Sequence, residues 1–151
     1  IIADVSHLSD KGFWDIAEHS TRPFAASHSN CRALAPHCRN LTDEMIRVMA
    51  EKGGLVGLNY CAGFLDDQPS PDLCRSTTAL MAKHAAHFKQ VGGIEIIGLG
   101  SDFDGIGGKL ELRDCSKMPL LADALRKEGF TEDEVEAINF RNAQRFFENN
   151  L

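Results

Sequence analysis

The segment Ile1-Ile2-Ala3-Asp4-Val5-Ser6-His7 reads as a short buried β-strand with a histidine at its C-terminal tip. Pro23-Phe24-Ala25-Ala26-Ser27-His28 repeats that pattern, and a helix-like stretch separates the two. His28 follows His7 by 21 residues, and each histidine comes directly after a serine. A third run, Ile94-Glu95-Ile96-Ile97-Gly98-Leu99-Gly100-Ser101-Asp102, ends the same way in a carboxylate. Strand, helix, strand, with a ligand-type residue at each C-terminal tip, is how an α/β barrel assembles a metal site.

Four apolar runs fit strands covered on both faces: Ile1–Val5, Pro23–Ala26, Gly54–Asn59 and Ile94–Leu99. None alternates as a half-exposed strand would. Helical spacing fills the gaps. Phe13, Ile16 and Ala17 mark a helix over Asp10–His19. Thr42 is an N-cap for a helix to Lys52, with Leu41 and Ile46 as a hydrophobic staple and Gly53 as the stop. Leu80, His84, Phe88 and Val91 share one stripe of a helix over Thr77–Val91. Pro119–Glu128 is a further helix, and the capping box Thr131-x-x-Glu134 opens one running towards Phe147. The order β-α-β-α-β-α-β-α-α predicts a parallel sheet. A closed α/β barrel takes eight strands in ~250 residues, so four strands correspond to half of one. The alternative is a doubly wound open sheet, but its G-x-G-x-x-G turn after the first strand is absent. No linker or second boundary interrupts residues 1–151, which read as a single partial domain.

With 151 residues, 43% hydrophobic and 25% charged, the composition is that of a globular domain. A net charge of −6 argues against a nucleic-acid partner. No run approaches the ~20 apolar residues of a membrane span. Five cysteines (Cys31, Cys38, Cys61, Cys74, Cys115) form an odd set without a C-x-x-C pair, which favours a reducing, cytoplasmic setting. A chain opening on Ile rather than Met is expected to be part of a longer protein.

His7 and His28 are candidate ligands for one zinc ion, against the alternative of two hydrogen-bonded core histidines. Asp102 is a candidate metal ligand or proton relay; otherwise it is a turn residue in Ser-Asp-Phe-Asp-Gly. Asp104, before Gly105, fits the turn role better. Arg39, eleven residues past His28, is a candidate clamp for a substrate carboxylate or else a surface charge. Tyr60 and Cys61 either line a pocket or close the third strand. His84 lies on an apolar stripe and reads as a packed histidine; His19 and His37 carry no pattern.

Together, Asp4-Val5-Ser6-His7, Ser27-His28-Ser29-Asn30, Arg39-Asn40 and Gly98-Leu99-Gly100-Ser101-Asp102-Phe103-Asp104-Gly105 resemble the zinc dipeptidases of the membrane (renal) dipeptidase family. The spacings from His7 to His28 and from His28 to Arg39 also resemble that family, and the likeness runs from Ile1 to about Phe147. It implies the C-terminal half, strands five to eight, of a (β/α)8 TIM-type barrel with two zinc ions at its mouth. By motif, His7 and His28 resemble the histidine ligands of the second zinc. Asp102 resembles the acid/base that serves the bridging water and the leaving amine. Arg39 resembles the arginine that holds the dipeptide's carboxylate, with Asp102, Tyr60 and Phe64 as further substrate contacts. Phe64 stands where many relatives carry Tyr. The His-x-Asp motif and bridging Glu of the first zinc have no counterpart here. The chain is therefore expected to hold at most one partial zinc site, to be inactive alone, and to need the missing N-terminal half as partner. The complete protein is expected to be a homo-oligomer acting on dipeptides. Competing readings are another metal-dependent amidohydrolase, of lactonase or deaminase type, and a non-catalytic half-barrel. A half-barrel is also expected to expose two sheet edges and an apolar interior.

Overall fold

The computed structural model describes residues 1–151 and is an α/β fold around a parallel sheet. Chain order gives α1 (Asp10–His19), β1 (Ala25–Ala26), α2 (Asp43–Glu51), β2 (Leu55–Asn59), α3 (Ala62–Leu65), α4 (Thr78–Gly92), β3 (Ile97–Ser101), α5 (Met118–Glu128), α6 (Glu132–Glu136) and α7 (Asn142–Asn150). The three strands lie side by side in sequence order, β1-β2-β3, all parallel, with Ala25 opposite Leu55 and Val56 opposite Ile97.

The strand boundaries differ from the sequence reading in three places, the first being that Pro23–Ala26 pairs as a strand only at Ala25–Ala26. Ile1–Val5 is reduced to one parallel bridge, Asp4 to Ala25, held by Val5 N–H to Ala25 O (2.8 Å) and Ala25 N–H to Ala3 O (3.0 Å). It lies at the sheet's edge, where pairing on one side only supports a short ladder. Ile94–Ile96 forms a 3₁₀ turn instead of a strand, so β3 starts at Ile97 and reaches Ser101. Hydrophobicity alone does not separate a tight turn from a strand start.

Four helices start at a capping hydroxyl, and the sequence marks two of these, Thr42 and Thr131. Ser9, Thr42, Thr77 and Thr131 each accept a hydrogen bond from a backbone N–H of the first turn. The Thr131–Glu134 capping box is complete. Beyond α6 a π-turn, Ala137–Arg141, interrupts the helix expected to run unbroken. It places Ile138 and Asn142 inward, and Asn142 Nδ2 then donates to Ile94 O and Ile97 O, pinning the last helical segment to the start of β3.

One hydrophobic cluster of 26 buried residues joins these layers. All five residues of β2 are buried, as a central strand covered on both faces requires. Gly57 and Gly100 set the closeness of the strand ends. A Cβ at either would sit 2.1 or 2.0 Å from Ser27 O, so only glycine lets β2 and β3 approach the β1 tip.

Candidate functional site

The C-terminal ends of these strands bring four predicted residues together. The rings of His7 and His28 lie 4.9 Å apart, tilted by 58°. Asp102 sits just past β3, near enough to raise the proton affinity of His28. The Arg39 guanidinium reaches back to His28 O with Nη2, at 3.4 Å. His7, Ser101 and Asp102 have φ of +71°, +39° and +70°, and no other non-glycine residue has a positive φ. Such backbone costs about 1–3 kcal/mol per residue and gathers at functional sites.

The local wiring of His28 explains its pose. Its backbone N–H donates to Ser6 Oγ (3.0 Å), and Nδ1 lies 2.7 Å from Ser27 Oγ. Ser27 Oγ in turn lies 2.5 Å from Asp4 Oδ2. His28 Nε2 is buried without any hydrogen-bond partner. Burial pushes the imidazole's pKa down; Asp102 opposes that push, while Arg39 and His7 add to it. For Asp4, burial pulls the pKa up, but the Ser27 hydroxyl, the N–H groups of Ser27 and Ser6, and His28 outweigh it and keep the carboxyl below its usual range.

Asn59, at the tip of β2, organises the other side. Its Nδ2 donates to Asp102 Oδ2 (3.1 Å) and to His28 O (3.5 Å), and its Oδ1 accepts from Cys61 N–H (2.6 Å). Asn30 holds Asn59 from below, donating to Asn59 O and accepting from Asn59 N–H. Sequence reading missed Asn59, Asp4 and Ser27. Asn59 was findable, because it is the polar residue ending an apolar strand, like His28 and Asp102.

The Arg39 side chain bonds to a backbone carbonyl rather than a carboxylate, and its Nε is buried without an acceptor. Its Cζ lies 5.5 Å from the Phe64 ring centroid, and that ring also packs on His37 at 4.6 Å. Burial pushes the guanidinium's pKa down, and the nearby acidic groups, Asp102 first, oppose this. Phe64 thus supports the guanidinium, and its carbonyl accepts from Asn30 and Asn40. Tyr60 departs from expectation as a substrate contact. It is wholly buried, with its ring edge-to-face on Phe103 and its hydroxyl pointing at Met118 Sδ, 3.8 Å away. The strand-closing role is the one the structure gives it. Its apolar neighbours make that position a core one.

His84 is a packed histidine as read, accepting Cys31 N–H at Nδ1 and reaching Leu65 O with Nε2. His87 pairs instead with Asp43, at 2.7 Å. The five cysteines are unpaired, and no helix is long and apolar enough to cross a membrane. The two roomiest clefts, beside Gly54 and Arg145 and beside Arg75 and Glu111, lie away from the strand tips.

These residues fit a metal in part. A buried imidazole nitrogen with no partner, beside a second histidine, is a donor set suited to zinc. No group of three or more His, Cys, Asp or Glu side chains is placed so as to hold a metal ion. A catalytic zinc ordinarily takes three protein ligands, so these two histidines form an incomplete set.

The membrane dipeptidase (peptidase family M19) model matches residues 1–150. An uncharacterized protein from the pqqA 5′ region of Klebsiella pneumoniae is 38% identical over 146 residues, which is 97% of this chain and 54% of that protein. Dipeptidase tcpJ of Claviceps purpurea is 31% identical over 96% of this chain and 33% of its own length. A crystal structure of a metallopeptidase from Rhodobacter sphaeroides, liganded with a phosphinate mimic of the dipeptide L-Ala-D-Ala, superposes with a TM-score of 0.88. Its identity is 33%, over 98% of this chain and 42% of that one. The parallel α/β sheet of this chain is thus that of solved metallopeptidase structures. The chain belongs to the membrane dipeptidase family, M19, and spans about half or less of these relatives' lengths.

Proposed function

We propose that this chain supplies the C-terminal half of a binuclear zinc dipeptidase, with His7 and His28 holding one zinc and Asp102 moving the proton. The sequential strand order supports the half-barrel reading, since a doubly wound sheet reverses its order at the ligand crevice. The position of His7, His28 and Asp102 at the C-terminal side of the sheet supports it further.

A bound zinc supplies Lewis acidity, acidifying a water and polarising the scissile carbonyl. The chain's own groups do the rest. Asn59 engages Asp102 Oδ2, leaving Oδ1 to take a proton from the attacking water and pass it to the leaving amine. Arg39 fixes the substrate's terminal carboxylate, so only a peptide whose carboxylate lies one residue from the scissile bond fits.

The observation that carries this reading is Arg39: a half-buried guanidinium beside the strand tips, backed by Phe64 and bonded to a backbone carbonyl rather than a carboxylate. It favours a dipeptide over the uncharged substrates of other amidohydrolases. In the complete protein, Arg39→Ala lowers kcat/KM for dipeptides by about 30- to 1000-fold, mainly through KM, matching the ~2–4 kcal/mol of a buried charge pair. Dipeptide amides lose far less. Equal loss for both substrates overturns the assignment.

A further inference from the structure

Asp4 is a carboxylate that the metal reading leaves unused, yet it stands one step behind His28. Its Oδ1 accepts the backbone N–H groups of Ser6 (3.0 Å) and Ser27 (2.9 Å). Its Oδ2 accepts the Ser27 hydroxyl at 2.5 Å. A hydroxyl has one hydrogen to give. With that hydrogen committed to Asp4, Ser27 Oγ meets His28 Nδ1 at 2.7 Å as an acceptor. Nδ1 then carries the ring proton, and Nε2 carries the lone pair. Nε2 is also the ring nitrogen left buried without a partner. The His28 backbone is fixed separately, through its N–H to Ser6 Oγ, which also contacts Ser29 Oγ.

We propose that Asp4, acting through the Ser27 hydroxyl, is a positioning residue that sets the His28 tautomer and leaves the Nε2 lone pair free at the strand tips. The relay rests on the zinc reading for its purpose but not for its existence. Asp4 also stitches the first segment to β1 through two backbone N–H groups, so the test has to separate wiring from support.

Asp4→Asn does that. Its carbonyl keeps both backbone contacts, while its NH₂ replaces Oδ2 and donates to Ser27 Oγ. The serine hydrogen then turns to His28 Nδ1, and the ring proton moves to Nε2. Ser27→Ala removes only an exposed hydroxyl and releases the ring to the Nε2–H form that free histidine prefers. Ser27→Thr keeps the hydroxyl. Long-range ¹⁵N–¹H NMR on the metal-free chain at pH 8 reads the two ring nitrogens directly. The expected result is Nδ1–H in the parent and in Ser27→Thr, and a shift to Nε2–H in Asp4→Asn and Ser27→Ala. Zinc affinity of the complete protein, from chelator competition, then falls about 10- to 100-fold in the two shifted variants. An unchanged tautomer in both overturns the relay. A shifted tautomer with undiminished zinc affinity supports the relay and counts against His28 as a ligand, so the two failures are distinct. Should Asp4→Asn not fold, Ser27→Ala decides alone.

Discussion

At the scale of single residues, buried polar groups divide into those that work and those that merely fit. Asn59 is fully buried and meets Asp102, His28, Cys61 and Asn30. Replacing it with Ala leaves several buried partners unpaired at about 1–3 kcal/mol each. Asn59→Ala is expected to lower the urea-unfolding free energy by at least about 2 kcal/mol. His84 gives a pH signature. Burial is the main cause that lowers its pKa from 6.5 to about 4. Above pH 6.5 the ring is neutral folded or unfolded, and contributes no pH dependence. Below 6.5 the unfolded chain takes a proton that the fold excludes, so stability falls until the pH passes about 4. The whole effect is on the order of 3 kcal/mol. Urea midpoints from pH 7 to pH 4.5 should therefore fall more steeply in the parent than in His84→Gln; parallel curves contradict this. Much of the site was legible at this scale because strand tips are a place that sequence can mark. His7, His28 and Asp102 end apolar runs. Asp4 and Ser27 were not legible as wiring, because a side-chain relay depends on which hydrogen points where. For Tyr60 the sequence left pocket lining and strand closing open, because it follows a strand tip in sequence while its ring turns back into the core.

Among elements, caps were readable and strand lengths were not. Ser9 was not singled out in the sequence, whereas Thr42 and Thr131 were, and all three cap helices because a hydroxyl at that position satisfies a free N–H. Strand ends depend on neighbours. The edge segment Ile1–Val5 and the turn Ile94–Ile96 are as apolar as β2 but lack its two-sided pairing. The π-turn at Ala137–Arg141 left no pattern in the helical spacing. The tightest element-level constraint is the approach of Ser27 O to Gly57 and Gly100. Backbone opposes backbone there, so neither side can rotate away. Gly57→Ala is expected to destabilise by more than about 2 kcal/mol, beyond the ordinary range for a surface change. Thermal melts measure this, and a neutral Gly57→Ala contradicts the packing of β2 against the β1 tip.

For the whole molecule, the surface shows how far the chain resembles a finished domain. Its accessible area is 8009 Å². A compact monomer of this mass, 16.6 kDa, has about 7600 Å². The excess is small, so the chain packs well against itself. The exposed large apolar side chains are spread along the chain: Ile1, Leu8, Leu34, Leu73, Leu120, Phe140, Phe147 and Leu151. The candidate site brings two histidines together, one short of the three protein ligands that a catalytic zinc ordinarily takes. The parallel sheet was legible from the order of strands and helices, since that alternation dictates it. The most direct test of a half-site is to measure bound zinc and dipeptide turnover for this chain alone and combined with the N-terminal half of a dipeptidase relative. The account predicts about two zinc ions per complex and turnover only in the combination, both impaired by His28→Ala. A well-folded combination with neither zinc nor turnover contradicts it.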